Sequence, residues 1–201
     1  MHLNSLLLFN RYAKPFLKDH MRVLEIGPDS KNPDVFKKEV NNPTLVWETM
    51  DLSRTYAGLT HVCSDEYSFP LPSESYDIVF SSSVIEHVRK IWVWIREAGR
   101  VCKKNGHVVT IAPVSWPYHA VPVDCWRIYP EGMKALYEEA GLRLELNHSE
   151  SLEQVDKRRA YPGPTYKQNS GAVGNLKFRI KKWLGWPLTY AIDTIAVGTK
   201  V

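Results

Sequence analysis

Val23-Leu24-Glu25-Ile26-Gly27-Pro28-Asp29 carries a nearly continuous apolar run straight into a glycine–proline pair. A short apolar run punctuated in this way predicts a buried strand over residues 22–26 that ends in a turn. Residues 34–40 follow as a helix candidate. A strand, a glycine turn and a helix together form a general device for holding a cofactor. Backbone amides approach the ligand where no side chain intervenes, and the helix N-terminus favours negative charge. Turns of this kind also occur in α/β proteins for purely structural reasons, so the surrounding sequence decides between the two readings.

Outward from that stretch, short apolar runs alternate with amphipathic ones, which predicts an α/β layer fold. Residues 45–50 are a second strand candidate ending at Asp51, residues 61–63 a third, and residues 76–80 a fourth bounded by Ser81-Ser82-Ser83. Ile91, Trp94, Ile95, Ala98 and Val101 recur at helical spacing, with Lys90, Arg96, Glu97 and Lys103 between them. That is the pattern of a surface helix with one buried stripe. Asn105-Gly106 reads as the end of this helix, and residues 107–112 as a fifth strand. Residues 130–140 open with a proline and are followed by Gly141, the usual asymmetry of helix punctuation. Residues 142–146 and 194–198 are the last two strand candidates.

The 201 residues, 44% hydrophobic and 24% charged, suffice for one domain with a full core and are too few for two ordinary ones. A net charge of +4 is mild and does not by itself argue for nucleic acid. Cys63, Cys102 and Cys125 are odd in number, far apart and without C-x-x-C pairing. They fit a reducing compartment better than a disulfide framework or a zinc site. Leu6-Leu7-Leu8-Phe9 is soon interrupted by Arg11, Lys14 and Lys18, so it is too short for a signal-peptide core or a membrane span. It is expected to be one face of a helix before the first strand, in a cytoplasmic protein with no transmembrane segment.

Asp51 lies 24 residues after Gly27. An acidic side chain there is placed to accept hydrogen bonds from both hydroxyls of an adenosine ribose, the logic of dinucleotide-binding folds. The bland reading is a turn or helix-cap aspartate. A nicotinamide cofactor is disfavoured, because Gly27 lacks the second and third glycines that a pyrophosphate requires.

In order, these stretches resemble the class I S-adenosylmethionine-dependent methyltransferase superfamily, in particular the small-molecule branch typified by ubiquinone and menaquinone methyltransferases. The resemblance runs through Val23-Leu24-Glu25-Ile26-Gly27-Pro28-Asp29 and residues 49–53. It continues through the acidic and proline-rich run Asp65-Glu66-Tyr67-Ser68-Phe69-Pro70-Leu71-Pro72-Ser73-Glu74-Ser75-Tyr76-Asp77-Ile78-Val79. Ser83-Val84-Ile85-Glu86-His87-Val88, Glu97-Ala98-Gly99-Arg100-Val101 and Asn105-Gly106-His107 complete it, over about residues 20–145. It implies a Rossmann-like α/β fold, a seven-stranded and mostly parallel sheet with helices on both faces, and S-adenosyl-L-methionine as cofactor. Carried over position by position, it implies that Gly27 and Pro28 face the methionine part. Glu25 would support the turn and, through water, the cofactor's amino group. Asp51 and Leu52 would meet the ribose, Asp65 the adenine amino group and Glu66 the ring, with Ser81 and Ser82 contributing at the end of the fourth strand. One departure stands out: the family's turn usually carries further glycines where this chain has Asp29 and Lys31.

A sulfonium is already an activated methyl donor, so the protein's task is chiefly in-line positioning, plus removal of a proton from a hydroxyl or a protonated amine. Candidate bases are expected at the carboxyl ends of the strands. His87 follows the fourth strand and titrates near neutrality. An acid–histidine pair at that place is nevertheless shared by methyltransferases with unlike substrates, which points to a cofactor-side or structural role. The segment after the fifth strand is richer, with Trp116, Tyr118, His119, Asp124, Trp126 and Arg127. His119 with Asp124 predicts a base and its orienting carboxylate, and with His87 these form the expected catalytic set. The bland reading is a pair that stabilises the loop. The same trio also reads as a divalent-metal set of the kind some sugar methyltransferases use. The base reading is preferred, and no metal is expected. Trp116, Tyr118, Trp126 and Arg127 are expected to border the acceptor, although the tryptophans suit packing the loop down equally well.

Lys157, Arg158, Arg159, Lys167, Lys177, Arg179, Lys181 and Lys182 make residues 154–188 the main basic region. The segment is expected to be a lid-like insertion in a single domain over residues 1–201, meeting an anionic acceptor. Tyr161, Tyr166 and Asn169 are further candidate substrate contacts; the individual lysines also suit a solvated helix face. The expected function is methyl transfer to oxygen or nitrogen of a small molecule such as a sugar or a secondary metabolite. A catalytically idle partner subunit is the alternative, supported by the missing glycines. A nucleic-acid methyltransferase is disfavoured, because Ser81-Ser82-Ser83-Val84 stands where an Asn-Pro-Pro-Tyr-type tetrapeptide would. No nucleic-acid partner is expected, and the insertion's aromatics would support a homodimer.

Overall fold

The leucine-rich start forms α1 (Leu3–Leu8), a π-helical turn (Phe9–Ala13) and a 3-10 turn (Lys14–Phe16), which lead into β1 (Arg22–Ile26). Then follow α2 (Val35–Val40), β2 (Val46–Asp51), β3 (His61–Val62), β4 (Tyr76–Ser82), a 3-10 turn (Ile85–His87) and α3 (Ile91–Val101). The rest of the fold is β5 (Cys102–Pro113), α4 (Pro130–Glu139), β6 (Leu142–Glu150), β7 (Tyr161–Pro162), β8 (Thr189–Tyr190) and β9 (Asp193–Lys200). This computed structural model describes residues 3–120, 122–153, 161–162, 180, 183–184 and 189–201. Most of the basic segment at 154–188, with Tyr166 and Asn169 and the side chain of Tyr161, lies outside the described residues.

The sheet has seven strands in the order β3-β2-β1-β4-β5-β9-β6, with β7 and β8 pairing separately. Strand β9 is antiparallel to both β5 and β6, and the other neighbouring pairs are parallel. The expected mostly parallel α/β sheet is therefore present. Strand order reverses between β1 and β4, and at such a switch point the loops at the carboxyl ends part into a ligand crevice.

Side chains alternate across each strand, and this divides the core into two layers. On one face Leu24, Ile26, Val79, Val108, Ala112 and Ala196 pack with the buried stripe of α3 and with Met133, Leu136 and Tyr137 of α4. All five stripe residues expected on α3 are buried. On the other face Val23, Ile78, Phe80, Val109, Ile111, Ile195 and Val197 pack against Leu8, Phe9, Ala13 and Phe36. The ring of Phe80 lies 5.0 Å from that of Phe9 and 4.6 Å from that of Phe36. Across the other face, Tyr137 lies against Gly198, where an added Cβ would stand 2.5 Å from its ring. Its hydroxyl donates within reach of Thr110 Oγ1 at 3.0 Å.

One boundary corrects the sequence reading. Asn105-Gly106 does not end the helix: α3 stops at Val101 and β5 starts at Cys102. The pair forms an irregularity inside the strand instead. While β4 advances from Tyr76 to Ile78, its partner advances from Cys102 to His107. Asn105 adopts φ +59, and a Cβ on Gly106 would lie 2.7 Å from the Asp77 carbonyl oxygen. Turn chemistry is thus spent on a bulge rather than on a chain break. Among the described residues, no helix is long and apolar enough to cross a membrane.

Candidate active site

A cavity of about 230 Å³ opens at the switch point, above the carboxyl ends of β1, β2 and β4. Ile26 and Gly27 form one wall, Asp51 and Leu52 another, and Ser83, Val84 and His87 a third. Met50, Cys63, Phe69 and Trp94 add apolar surface, and Glu66 adds a carboxylate. The Gly27 turn is fixed by sterics: φ is +67, and a Cβ would stand 2.4 Å from Val84 Cγ2. Glycine alone satisfies both constraints without strain. Its N–H donates to the Met50 carbonyl at 2.8 Å, which ties the turn to β2.

Of the residues expected at a cofactor, Gly27, Asp51, Leu52 and Glu66 line this cavity. Asp51 Oδ1 accepts the Leu52 N–H at 2.7 Å, and Oδ2 accepts the Thr55 hydroxyl at 3.1 Å. Each oxygen therefore keeps a second lone pair. Asp65, Glu25, Pro28, Ser81 and Ser82 stand outside the lining. Asp65 is exposed and accepts the Tyr67 N–H at 2.8 Å, shaping the loop behind Glu66. Glu25 is buried and accepts the Trp47 indole N–H at 2.8 Å; burial pushes its carboxyl up to about 8, against that hydrogen bond. Pro28 and Ser81 are buried, and the buried Ser82 Oγ has no hydrogen-bond partner among the described residues. Ser83 takes the place expected for them. It holds φ +56, an uncommon conformation for a residue with a Cβ, and its buried Oγ also has no described partner.

The segment after β5 is pinned across the mouth. Cys125 N–H donates to the Glu86 carbonyl at 2.8 Å, and the Trp126 indole donates to the Val88 carbonyl at 2.8 Å. Arg127 organises the loop from within. Its Nε donates to the Trp116 carbonyl at 2.9 Å, Nη1 to Asp124 and to the Trp126 carbonyl, and Nη2 to Asp124 Oδ2 at 2.7 Å and the Pro117 carbonyl at 3.0 Å. These contacts use all five N–H groups of a guanidinium, so Arg127 offers none to an acceptor. Trp126 is likewise turned inward, against the apolar core, while Tyr118 is exposed.

His119 is anchored within this loop. Its Nδ1 lies 3.1 Å from the Pro117 carbonyl and 3.3 Å from Asp124 Oδ2, and its backbone N–H donates to the same Asp124 oxygen at 2.7 Å. Hydrogen bonds from Arg127 hold the Asp124 carboxyl down at about 2, against its own burial. The His119 ring lies 5.0 Å from that of His87 and 6.4 Å from that of Trp116. The sequence reading placed His87, His119 and Asp124 together, and here His119 lies beside each of the other two. It gave Glu86 a cofactor-side or structural role only, as the acid before His87. Glu86 is almost wholly buried beside both histidines, and burial, opposed by its own backbone amide and by Arg127, pushes its carboxyl up to about 8. The acid-before-histidine spacing was visible in the sequence; its burial was not.

A family model described as a methyltransferase domain matches residues 9–110, half of the chain. No curated protein sequence matches significantly. Among solved structures, an S-adenosylmethionine-dependent methyltransferase from Archaeoglobus fulgidus superposes with a TM-score of 0.64 at 20% identity, covering 97% of this chain and 92% of that one. A Haloferax volcanii chain solved with the Trm112 methyltransferase activator gives 0.62 at 13% identity, covering 97% and 92%. Phosphoethanolamine N-methyltransferase 2 of Haemonchus contortus, solved with S-adenosyl-L-methionine, gives 0.60 at 14% identity, covering 98% and 52%. With the family match over residues 9–110, the chain belongs to the methyltransferase-domain family, and its fold is that of the S-adenosylmethionine-dependent methyltransferase structures it superposes on.

Proposed function

We propose that this enzyme methylates an oxygen or nitrogen of a small molecule whose nucleophile sits between the cofactor cavity and His119. The observation that carries this reading is the contact of His87, which lines the cavity, with His119, which lies outside it. The two rings join the cofactor side of the site to the loop side.

The residues present suit the cofactor. Asp51 would accept the ribose hydroxyls on its two remaining lone pairs, and Glu66 would lie beside the adenine ring. The Gly27 turn, free of a Cβ, would admit the methionine part. When bound, S-adenosylmethionine supplies a methyl group on a positively charged sulfur, ready for in-line attack. Glu25, Pro28, Asp65, Ser81 and Ser82 would act from behind this lining, by shaping the turns.

Proton removal would fall to His119. An acceptor for Nδ1–H on Asp124 and on the Pro117 carbonyl favours the tautomer with a lone pair on Nε2. That nitrogen can take the proton of a hydroxyl or ammonium while Asp124 steadies the imidazolium. Trp116 and Tyr118 would border the acceptor; Trp126 and Arg127 would hold the loop that presents them. The basic residues at 154–188 suit an anionic acceptor.

Methyl transfer to a panel of hydroxyl and amine compounds tests the reading. For any acceptor found, His119→Ala should lower kcat about a hundredfold, in the range of general-base catalysis, with cofactor affinity kept. Near-native turnover in both His119→Ala and His87→Ala would remove these side chains from the reaction.

A further inference from the structure

Glu86 is the anomaly of the site. Its side chain is 1% exposed, and apart from its own backbone amide neither carboxylate oxygen has a hydrogen-bond partner among the described residues. A buried carboxylate without partners is expensive, and native proteins keep one where a cation or a function compensates. The Arg127 guanidinium, the nearby cation, is committed to Asp124 and to backbone carbonyls.

What faces Glu86 is a pair of imidazoles. His87 Nδ1 bonds the Val123 carbonyl, so it carries the proton and leaves the lone pair on Nε2, 3.8 Å from Glu86 Oε1. His119 is held in the same tautomer by Asp124 and the Pro117 carbonyl. This is the arrangement of metal-binding histidines, whose second nitrogen bonds a carboxylate or a backbone carbonyl. One donor atom from each of Glu86, His87 and His119 lies within 4.8 Å of the others.

We propose that Glu86, His87 and His119 bind one divalent transition-metal ion, with Asp124 orienting His119 from behind. Two imidazoles and one carboxylate suit the manganese-to-zinc series better than magnesium, which prefers an all-oxygen shell. Metal–ligand bonds of about 2.0–2.2 Å place neighbouring donors roughly 3 Å apart, so the three groups, now within 4.8 Å of one another, close by up to about 2 Å. His119, with about a third of its side chain exposed, has room to make that movement. Three protein ligands leave coordination positions open, and the ion would bind and polarise the acceptor atom there. The proposal goes beyond the reading above: it rests on it for the acceptor's position and replaces the proton-removing role of His119. With the ion bound, His119 Nε2 is a ligand, and the ion takes over activation of the acceptor.

The carboxylate that makes the set is not the one the sequence suggested. Asp124 spends both oxygens on Arg127 and the His119 amide, whereas Glu86 spends neither on another residue.

The test is a titration of the metal-stripped full chain with Co2+, followed by visible absorption, and with Mn2+ and Zn2+ by calorimetry. One equivalent should bind, with d–d bands and no thiolate charge-transfer band. Glu86→Gln preserves shape and replaces the carboxylate ligand with an amide; His119→Ala removes a ligand from a partly exposed position. Each should weaken binding at least tenfold, and Glu86→Gln should stay folded and bind cofactor as the wild type does. Absence of saturable binding, thiolate bands, or unchanged affinity in both variants overturns the site. Titration with S-adenosylmethionine on the same sample separates the two claims. Cofactor binding without metal binding overturns the metal site alone, and metal binding without cofactor binding overturns the methyl-transfer reading.

Discussion

A Cβ placed on Gly27 would lie 2.4 Å from Cγ2 of Val84, so the turn after β1 touches the turn after β4 where the strand order reverses. Gly27→Ala therefore suffers twice. The left-handed conformation at φ +67 costs a side-chain-bearing residue about 1–2 kcal/mol, and the new methyl displaces Val84, which lines the cavity. We expect a lowered Tm and at least tenfold weaker cofactor binding, measured by thermal denaturation and calorimetry. Adding Val84→Ala should restore part of the affinity. A double variant no better than the single one would contradict the contact.

Much of this geometry was legible in the sequence. The apolar run at residues 22–26, the helical spacing on α3 and the proline and glycine flanking α4 each signal locally what forms. Asp51 was singled out by its place at a strand end and Glu66 by the family resemblance, and both line the cavity. Residues whose meaning depends on distant neighbours were missed. Asn105-Gly106 reads as a chain break until β4 lies beside it, and Arg127 reads as a substrate contact until its five donors find partners within the loop. Glu86 reads as the acid of an acid–histidine pair, and its burial shows only once the loop after β5 bonds its backbone through Cys125 and Trp126.

The bonds of Arg127 give a second prediction. Arg127→Lys keeps the charge but loses the planar fork that joins Asp124 to three backbone carbonyls. The loop should loosen and His119 lose its orientation. We expect kcat to fall about tenfold or more, as for a misplaced catalytic group, with cofactor affinity retained and limited proteolysis within residues 114–129 accelerated. Wild-type turnover with wild-type protease resistance would show that the fork is dispensable.

Acid stability should depend on Glu48. Burial would raise its carboxyl, but hydrogen bonds from Arg22 and Tyr76 at 2.8 and 2.6 Å, with His61 at 2.8 Å, outweigh burial and hold it at about 2. Because the folded value lies below the unfolded one, near 4.3, the stabilisation is complete above roughly pH 5. It fades as pH falls toward 2. Denaturant unfolding should show Glu48→Gln less stable than wild type by about 2 kcal/mol at pH 7, with the gap closing between pH 5 and pH 2. A gap that does not change with pH would refute the assignment.

The most direct measurement is calorimetric titration of the wild type and of Asp51→Ala with S-adenosyl-L-methionine and with its demethylated product. The wild type should bind one molecule of either per chain. Asp51→Ala, deprived of the carboxylate at the end of β2, should bind at least tenfold more weakly while unfolding at a similar temperature. No binding of either molecule by the wild type, or equal affinity in the variant, would contradict the placement of the cofactor between β1, β2 and β4.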